Sequence, residues 1–262
     1  MKTITGKLVS ALLTGALILG VAGCSKPAEA TESGLKTVES GKLVMATNAF
    51  FPPYEYYEGD DIVGIDVEIA EAVADKLGLE LVIEDTEFDS IIVGVQSGKY
   101  DIGCAGMTIT DERLQSVNFT TPYAKGVQSI IVPEDSEITD VDMLLAGDYI
   151  VGVQTGTTGD IYMQDDIGEA RVDRYQKGND AIVALTSGKV DAVVIDNEPA
   201  KAFVAANEGL KILDTAYVEE EYAMCINKDN EELLNAINEA LAELEKDGTI
   251  DAIVAKYIPA EG

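Results

Sequence analysis

Two stretches restrict the possible fold more than any other feature of the chain. SGKYDIGCAG (97–106) and SGKVDAVVID (187–196) share Ser-Gly-Lys-x-Asp, followed by a run of equal length. Each comes after a segment with helical apolar spacing, FDSIIVGVQ and NDAIVALT. A helix, a glycine turn and a strand occurring twice predict two α/β lobes built on an equivalent unit. Chance recurrence of a common helix–turn–strand phrase is the alternative. If the units are equivalent, Gly106 and Asp196 stand at corresponding strand ends. Open α/β sheets collect their ligands outside the carboxyl ends of strands.

The remaining segments keep the same rhythm. LVMAT, LELVIED, YIVGVQ and ARVDRY read as strands. VEIAEAVADKLG reads as a helix capped by Asp66 and stopped at Gly78, and another helix begins near Thr157. Residues 230–247 form an amphipathic helix with Leu233, Leu234, Ile237, Ala240, Leu241 and Leu244 on one face. Strands alternating with helices predict mostly parallel sheets flanked by helices.

Charge narrows the function. The 262-residue chain carries 48 acids against 18 Lys and Arg, a formal net charge of −30, and has no histidine. Such a field repels nucleic acid and weakly favours cationic solutes. Without histidine there is no Ser-His-Asp or Cys-His catalysis and no His-ligated metal.

The first residues read as an address. Lys2 and Lys7 precede the apolar run Leu8 to Gly23, which is short for a membrane span and fits a secretory signal. Val21-Ala22-Gly23-Cys24 resembles a bacterial lipobox, which implies cleavage before Cys24 and its attachment to diacylglycerol. A plain signal peptide is the alternative. Residues 24–41 read as a flexible tether. Cys104 and Cys225 lack metal-site spacing and read as buried small hydrophobes, with a mutual disulfide as the other option.

MTITDER (107–113) begins at one of the two strand ends. Thr110 reads as a helix cap with Asp111 and Glu112 in the first turn. Arg113 is then a cation at the wrong end of a helix dipole, unless an anion sits there. A helix N-terminus with a planar guanidinium beside it is matched to a carboxylate.

These segments together resemble a known family. TNAFFPPYEY, VGIDVEIAEAVADKLG, FDSIIVGVQSGKYDIGCAGMTITDER, NFTTPY, VGVQTGTTGD and VDAVVIDNEP occur in the order seen in bacterial polar-amino-acid-binding proteins, the extracytoplasmic solute-binding subunits of ABC importers. The resemblance spans about 42–258. It implies a periplasmic-binding-protein-like (Venus flytrap) α/β fold with lobe I at 42–127 plus 222–258, lobe II at 128–221, and crossings near KGVQS and EEYAM. It implies that Arg113 clamps a ligand α-carboxylate, helped by Thr108 and by amides around Ala105, Gly106 and Thr158. Asp196 takes the α-ammonium, and Phe51 and Phe88 wall the side chain. The resemblance puts Asn48 where many relatives carry an Asp that touches the distal end of that side chain, and Gln154 where some carry Lys; Thr157 opens the helix beside it.

The implied ligand is a free L-amino acid, basic ranked just above neutral polar such as glutamine. The implied partners are the membrane permease subunits, with a monomeric chain, no cofactor and no metal. A zwitterion losing water needs both charges matched, because an unpaired buried ion costs several kcal/mol. Two other readings compete. Some proteins of this fold are dehydratases of cyclic prearomatic acids, but no residue pairs with a candidate acid such as Asp196 or Glu87. Sensory modules continue into a membrane helix and signalling domain, whereas this sequence stops at Gly262. A phosphate loop at GTTGD lacks the GxxxxGK pattern.

Overall fold

The computed structural model describes residues 34–259. Strand β1 (Lys42–Thr47) leads into an antiparallel ribbon of β2 (Phe50–Phe51), β3 (Glu55–Glu58) and β4 (Asp61–Val63). Helix α1 (Ile65–Leu77), β5 (Glu80–Asp85), α2 (Phe88–Gln96), β6 (Ile102–Gly103), a 3-10 turn (Arg113–Gln115) and β7 (Val117–Phe119) follow. Next come β8 (Ala124–Pro133), α3 (Val141–Ala146), β9 (Val151–Gln154), α4 (Thr158–Ile167), β10 (Val172–Tyr175) and α5 (Gly178–Thr186). Strand β11 (Ala192–Asp196), α6 (Asn197–Ala206), β12 (Leu210–Ile212) and β13 (Val218–Tyr222) precede β14 (Cys225–Asn227), α7 (Glu231–Lys246) and α8 (Thr249–Tyr257).

The strands form two sheets with matching layouts. The first runs β5-β1-β6-β14-β7 and the second β10-β9-β11-β8-β12, with β13 also on β8. In each, three parallel strands are continued by antiparallel ones, so both sheets are mixed. The antiparallel strands are those reached by the two connections between the sheets. These connections lie side by side, with Thr120 N on Met224 O at 3.0 Å and Tyr123 N on Tyr222 O at 2.9 Å.

The repeated phrase builds the same unit twice. Gly98 and Gly188 turn out of α2 and α5 with φ of 74° and 70°, where a β-carbon is disfavoured. Lys99 N then caps Gly94 O, and Lys189 N caps Ala184 O, both at 2.9 Å. Asp101 exchanges two bonds with Val44: its N donates to Val44 O and its Oδ2 accepts from Val44 N, each at 2.8 Å. Asp191 makes the same pair with Ile150, again at 2.8 Å. Each aspartate thereby pins its strand to the neighbouring one before the ladder begins.

Packing follows the apolar stripes. Helix α7 buries Leu233, Ile237, Ala240, Leu241 and Leu244, with Leu234 at the margin. Burying each such leucine contributes about 1.5–3 kcal/mol. Helix α1 ends at Gly78 in a left-handed conformation whose N–H reaches back to Ala74 O and Asp75 O.

Two local expectations are corrected. Asp66 does not cap α1; Gly64 occupies that position, and Asp66 lies on the buried side of the first turn. Its Oδ2 accepts from Gly106 N and from Tyr123 Oη, both at 2.7 Å. The segment after Thr110 is one 3-10 turn, too short to carry a useful dipole, although Thr110 Oγ1 accepts from Arg113 N at 3.1 Å.

Cys104 and Cys225 are buried and free. The signal segment and Cys24 lie outside the described residues. The last part of the stretch read as a tether is held by the fold: Lys36 O accepts from Asn230 at 3.0 Å and Val38 N donates to Asp101 at 2.7 Å.

Candidate functional site

The ends of the two repeated units open on one cavity, whose room for the centres of water-sized molecules is about 20 Å³. Asn48, Phe51, Phe88, Ala105, Gly106, Thr108 and Arg113 line it from the first sheet; Gln154, Thr157, Thr158 and Asp196 line it from the second. All eleven residues nominated from the sequence are therefore in one place. A twelfth, Glu55, joins them.

Arg113 is buried, with 6% of its surface exposed. Among the described residues it is the only buried cation. It donates to Thr108 O at 2.6 Å and, across the cleft, to Gly156 O at 3.1 Å. Its guanidinium carbon lies 5.5 Å from the centre of the Phe88 ring, a cation–π arrangement. Burial draws its pKa down from the usual arginine value, while Glu220 and Asp196 oppose that shift. A guanidinium has five N–H groups in a planar fork, so two carbonyls leave it able to take a carboxylate as well.

The positive end has a second contributor. Thr157 caps α4, its Oγ1 accepting from Asp160 N at 3.3 Å. Thr158 opens that ten-residue helix at the cavity, so first-turn N–H groups and the dipole of α4 favour an anion there. The dipole expected near Arg113 is thus supplied from the other sheet. Two other nominated donors are already engaged. Gly106 N is bonded to Asp66, and Thr108 Oγ1 donates to Glu220 Oε2 at 3.0 Å. Gly106 instead keeps the floor open: a β-carbon there would come 2.6 Å from the Phe51 ring.

Asp196 provides the negative end. It closes β11 and is 7% exposed. Its Oδ1 accepts from the Tyr222 hydroxyl, and its Oδ2 accepts from Gln128 Nε2 at 2.8 Å. Burial first, and repulsion from Glu220 second, hold its pKa up at about 7. Among the described residues, this carboxyl group has neutral hydrogen-bond donors and no cation bonded to it.

Asn48 and Gln154 bond to each other. Gln154 Nε2 donates to Asn48 Oδ1 at 2.9 Å, joining the two sheets across the cleft, and Asn48 Nδ2 donates to Thr86 O at 2.8 Å. Both side chains wall the cavity while their polar groups satisfy one another.

Glu55 is the residue that sequence reasoning missed. It is fully buried, and its only polar neighbour by hydrogen bonding is a second acid, Asp66. Burial, with Asp66 beside it, lifts its pKa well above the usual glutamate range. A signal was present in PPYEY, an acid between aromatics whose strand turns Tyr57 and Glu58 outward. Glu55 and Asp196 bring two carboxyl groups to the cavity beside one Arg113, and burial favours their protonated forms until a cation arrives. An α-carboxylate at Arg113 and α4, an ammonium at Asp196, and a further cation or amide donor at Glu55 would together match every charge. Among the described residues, no group of three or more acids or cysteines is placed to hold a metal ion.

Comparisons with known proteins give the family. The arginine-binding extracellular protein ArtP of Bacillus subtilis is 32% identical over 97% of both chains. The L-cystine-binding protein TcyJ of Escherichia coli is 31% identical over 92% of both. A solved structure described as an ancestral arginine-binding protein bound to glutamine superimposes with a TM-score of 0.79. It is 38% identical and covers 84% of this chain and 99% of its own. The model of bacterial extracellular solute-binding proteins, family 3, matches residues 43–260, and the chain belongs to that family.

Proposed function

We propose that this chain is the extracytoplasmic receptor of an ABC amino-acid importer, capturing a free L-amino acid by closure of its two lobes and presenting it to the membrane permease subunits. Membership of a solute-binding family sets aside the dehydratase reading. One observation carries the proposal: Arg113 and Asp196, from different sheets, line one cavity, and among the described residues no cation is bonded to the buried Asp196. The α-carboxylate goes to Arg113 and the first turn of α4, the α-ammonium to Asp196, and the side chain between Phe51 and Phe88. Asn48 and Gln154 close the far wall.

A basic side chain is favoured over a neutral polar one. Glu55 supports this, because its buried carboxyl, shared with Asp66, can ionise against a guanidinium or ammonium but gains no such charge pairing from a carboxamide. The lobes are proposed to divide at 127/128 and 221/222, with the paired connections as the hinge. Cys24 is proposed as the lipidated residue that holds a monomeric chain to the membrane.

A thermal-shift screen over the twenty amino acids tests the reading. Ligand at 100-fold its dissociation constant adds about 2.7 kcal/mol to stability. Arginine or lysine is expected to give the largest shift. A larger shift with glutamine removes the basic preference, and no shift with any amino acid removes the proposal.

A further inference from the structure

Asp196 is tied to a second buried carboxylate through one amide. Gln128 Nε2 donates to Asp196 Oδ2 at 2.8 Å and to Glu220 Oε2 at 3.0 Å. Thr108 Oγ1 reaches the same Glu220 oxygen at 3.0 Å, and the Tyr162 hydroxyl lies beside the carboxyl. Glu220 does not line the ligand cavity; it borders the neighbouring groove beside Lys125 and Tyr162. It sits on β13, opposite Gly126 of β8, in the ladder next to the connections between the sheets. A ligand ammonium at the cavity would therefore meet Asp196 and leave Glu220 behind it.

We propose that Glu220 is a positioning residue that keeps Asp196 poised between a proton and the ligand's ammonium, so that capture of an amino acid expels a proton. This rests on the assignment of the ammonium to Asp196. The groups around Asp196 are Glu220 and Tyr222 on β13, Gln128 on β8, and Tyr162 on α4. Arg113 in the 3-10 turn and Tyr54 and Glu55 at the ribbon also feel the charge of Asp196. Arg113 is held by Thr108 O and Gly156 O, and Gln128 is a neutral donor shared by two acids. The repulsion from Glu220 accordingly acts in the same direction as burial, toward the protonated carboxyl. An ammonium in contact reverses that balance. The neutral carboxyl gives up its proton to solvent, the carboxylate pairs with the ammonium, and charge is conserved.

The consequence is a pH profile. Above about pH 7 Asp196 is already ionised and adds no slope to the affinity. Below it the ligand displaces a proton, and affinity falls by up to about tenfold per pH unit.

Calorimetric titration with L-arginine between pH 5 and 8.5 tests this on the wild type and Glu220→Gln. Glutamine keeps an oxygen for Thr108 and Gln128 but removes the charge. The variant is expected to match the wild type within about threefold at pH 8 and to bind more tightly at pH 6, because its break moves to lower pH. Superimposable profiles overturn the proposal. Should Glu220→Gln not fold, proton release is counted from binding enthalpies in buffers of different ionisation enthalpy. Glu55→Gln protein is used there, so that Asp196 is the carboxyl counted. About one proton per arginine is expected at pH 6, and none overturns the proposal. If Asp196→Asn binds like the wild type, the ammonium assignment itself falls. If it loses binding while Glu220→Gln leaves the profile unchanged, only the coupling falls.

Discussion

The two repeated units share a scaffold and differ at their tips. In both, a left-handed glycine, a backbone cap and an aspartate bonded to the neighbouring strand fix the entry to a buried strand. At the tips, Gly106 gives its N–H to Asp66 and leaves space beside Phe51, whereas Asp196 presents a carboxylate. Repetition thus supplies geometry and divergence supplies polarity. Two like lobes with unlike tips make a cavity with a positive and a negative side, which is what a dipolar solute needs.

The sharpest way to break that contrast is at Asp196. Asp196→Ala is expected to cost about 3–5 kcal/mol of binding, roughly two to four orders of magnitude in affinity. The same residue opposes folding without ligand. Its folded pKa of about 7 lies above the unfolded value of about 3.9. Between those values the fold holds a proton that the unfolded chain has lost, so apo stability declines as pH rises from about 4 to 7 and is level above. Asp196→Asn should remove that slope and stabilise the apo protein most above pH 7, by about 1.4 kcal/mol per unit of the original shift at most. Urea unfolding at pH 5 and pH 8 measures this, and an equal effect at both would contradict it.

Glu55 distinguishes one side chain from another. Glu55→Gln is expected to weaken arginine by about 1.5–3 kcal/mol, the worth of a hydrogen bond to a charged group, and to leave glutamine almost unchanged. An equal loss for both ligands in competition titrations would make Glu55 a structural residue only.

The scaffolds themselves should be unequally sensitive. Asp101 is buried and accepts from Val38 N and Val44 N; Asp191 is exposed and accepts from Ile150 N. Asp101→Ala is expected to cost about 1.5–3 kcal/mol of stability and Asp191→Ala less. Denaturation midpoints in the reverse order would show that the units are not built alike.

The smallest effect is expected at the far wall. Gln154→Ala breaks the bond to Asn48 across the cleft and should weaken every amino acid by about 1 kcal/mol. A loss confined to basic ligands would return Gln154 to direct contact with the side chain.

Much of this was legible in the sequence because the repeated phrase and the apolar stripes act locally. The Gly78 stop, the Thr157 cap and the stripe on α7 follow from residues within a turn or two of each other. The errors have a common cause in partners far along the chain. Asp66 reads as a cap until Gly106 and Tyr123 come to it from 40 and 57 residues away. Arg113 reads as a helix start because the carbonyl that crosses the cleft to it belongs to Gly156. Glu55 and Glu220 lie in motifs that look like ordinary strand edges, and only packing turns them inward.

Arg113 is expected to hold the ligand's carboxylate, and that contact can be isolated. Calorimetry of wild type and Arg113→Ala with L-arginine and with agmatine, which is arginine without its carboxylate, measures that contact alone. The substitution is expected to weaken arginine by about two to four orders of magnitude and to change agmatine by less than about threefold. Near wild-type affinity for arginine, or an equal loss for both ligands, would contradict it.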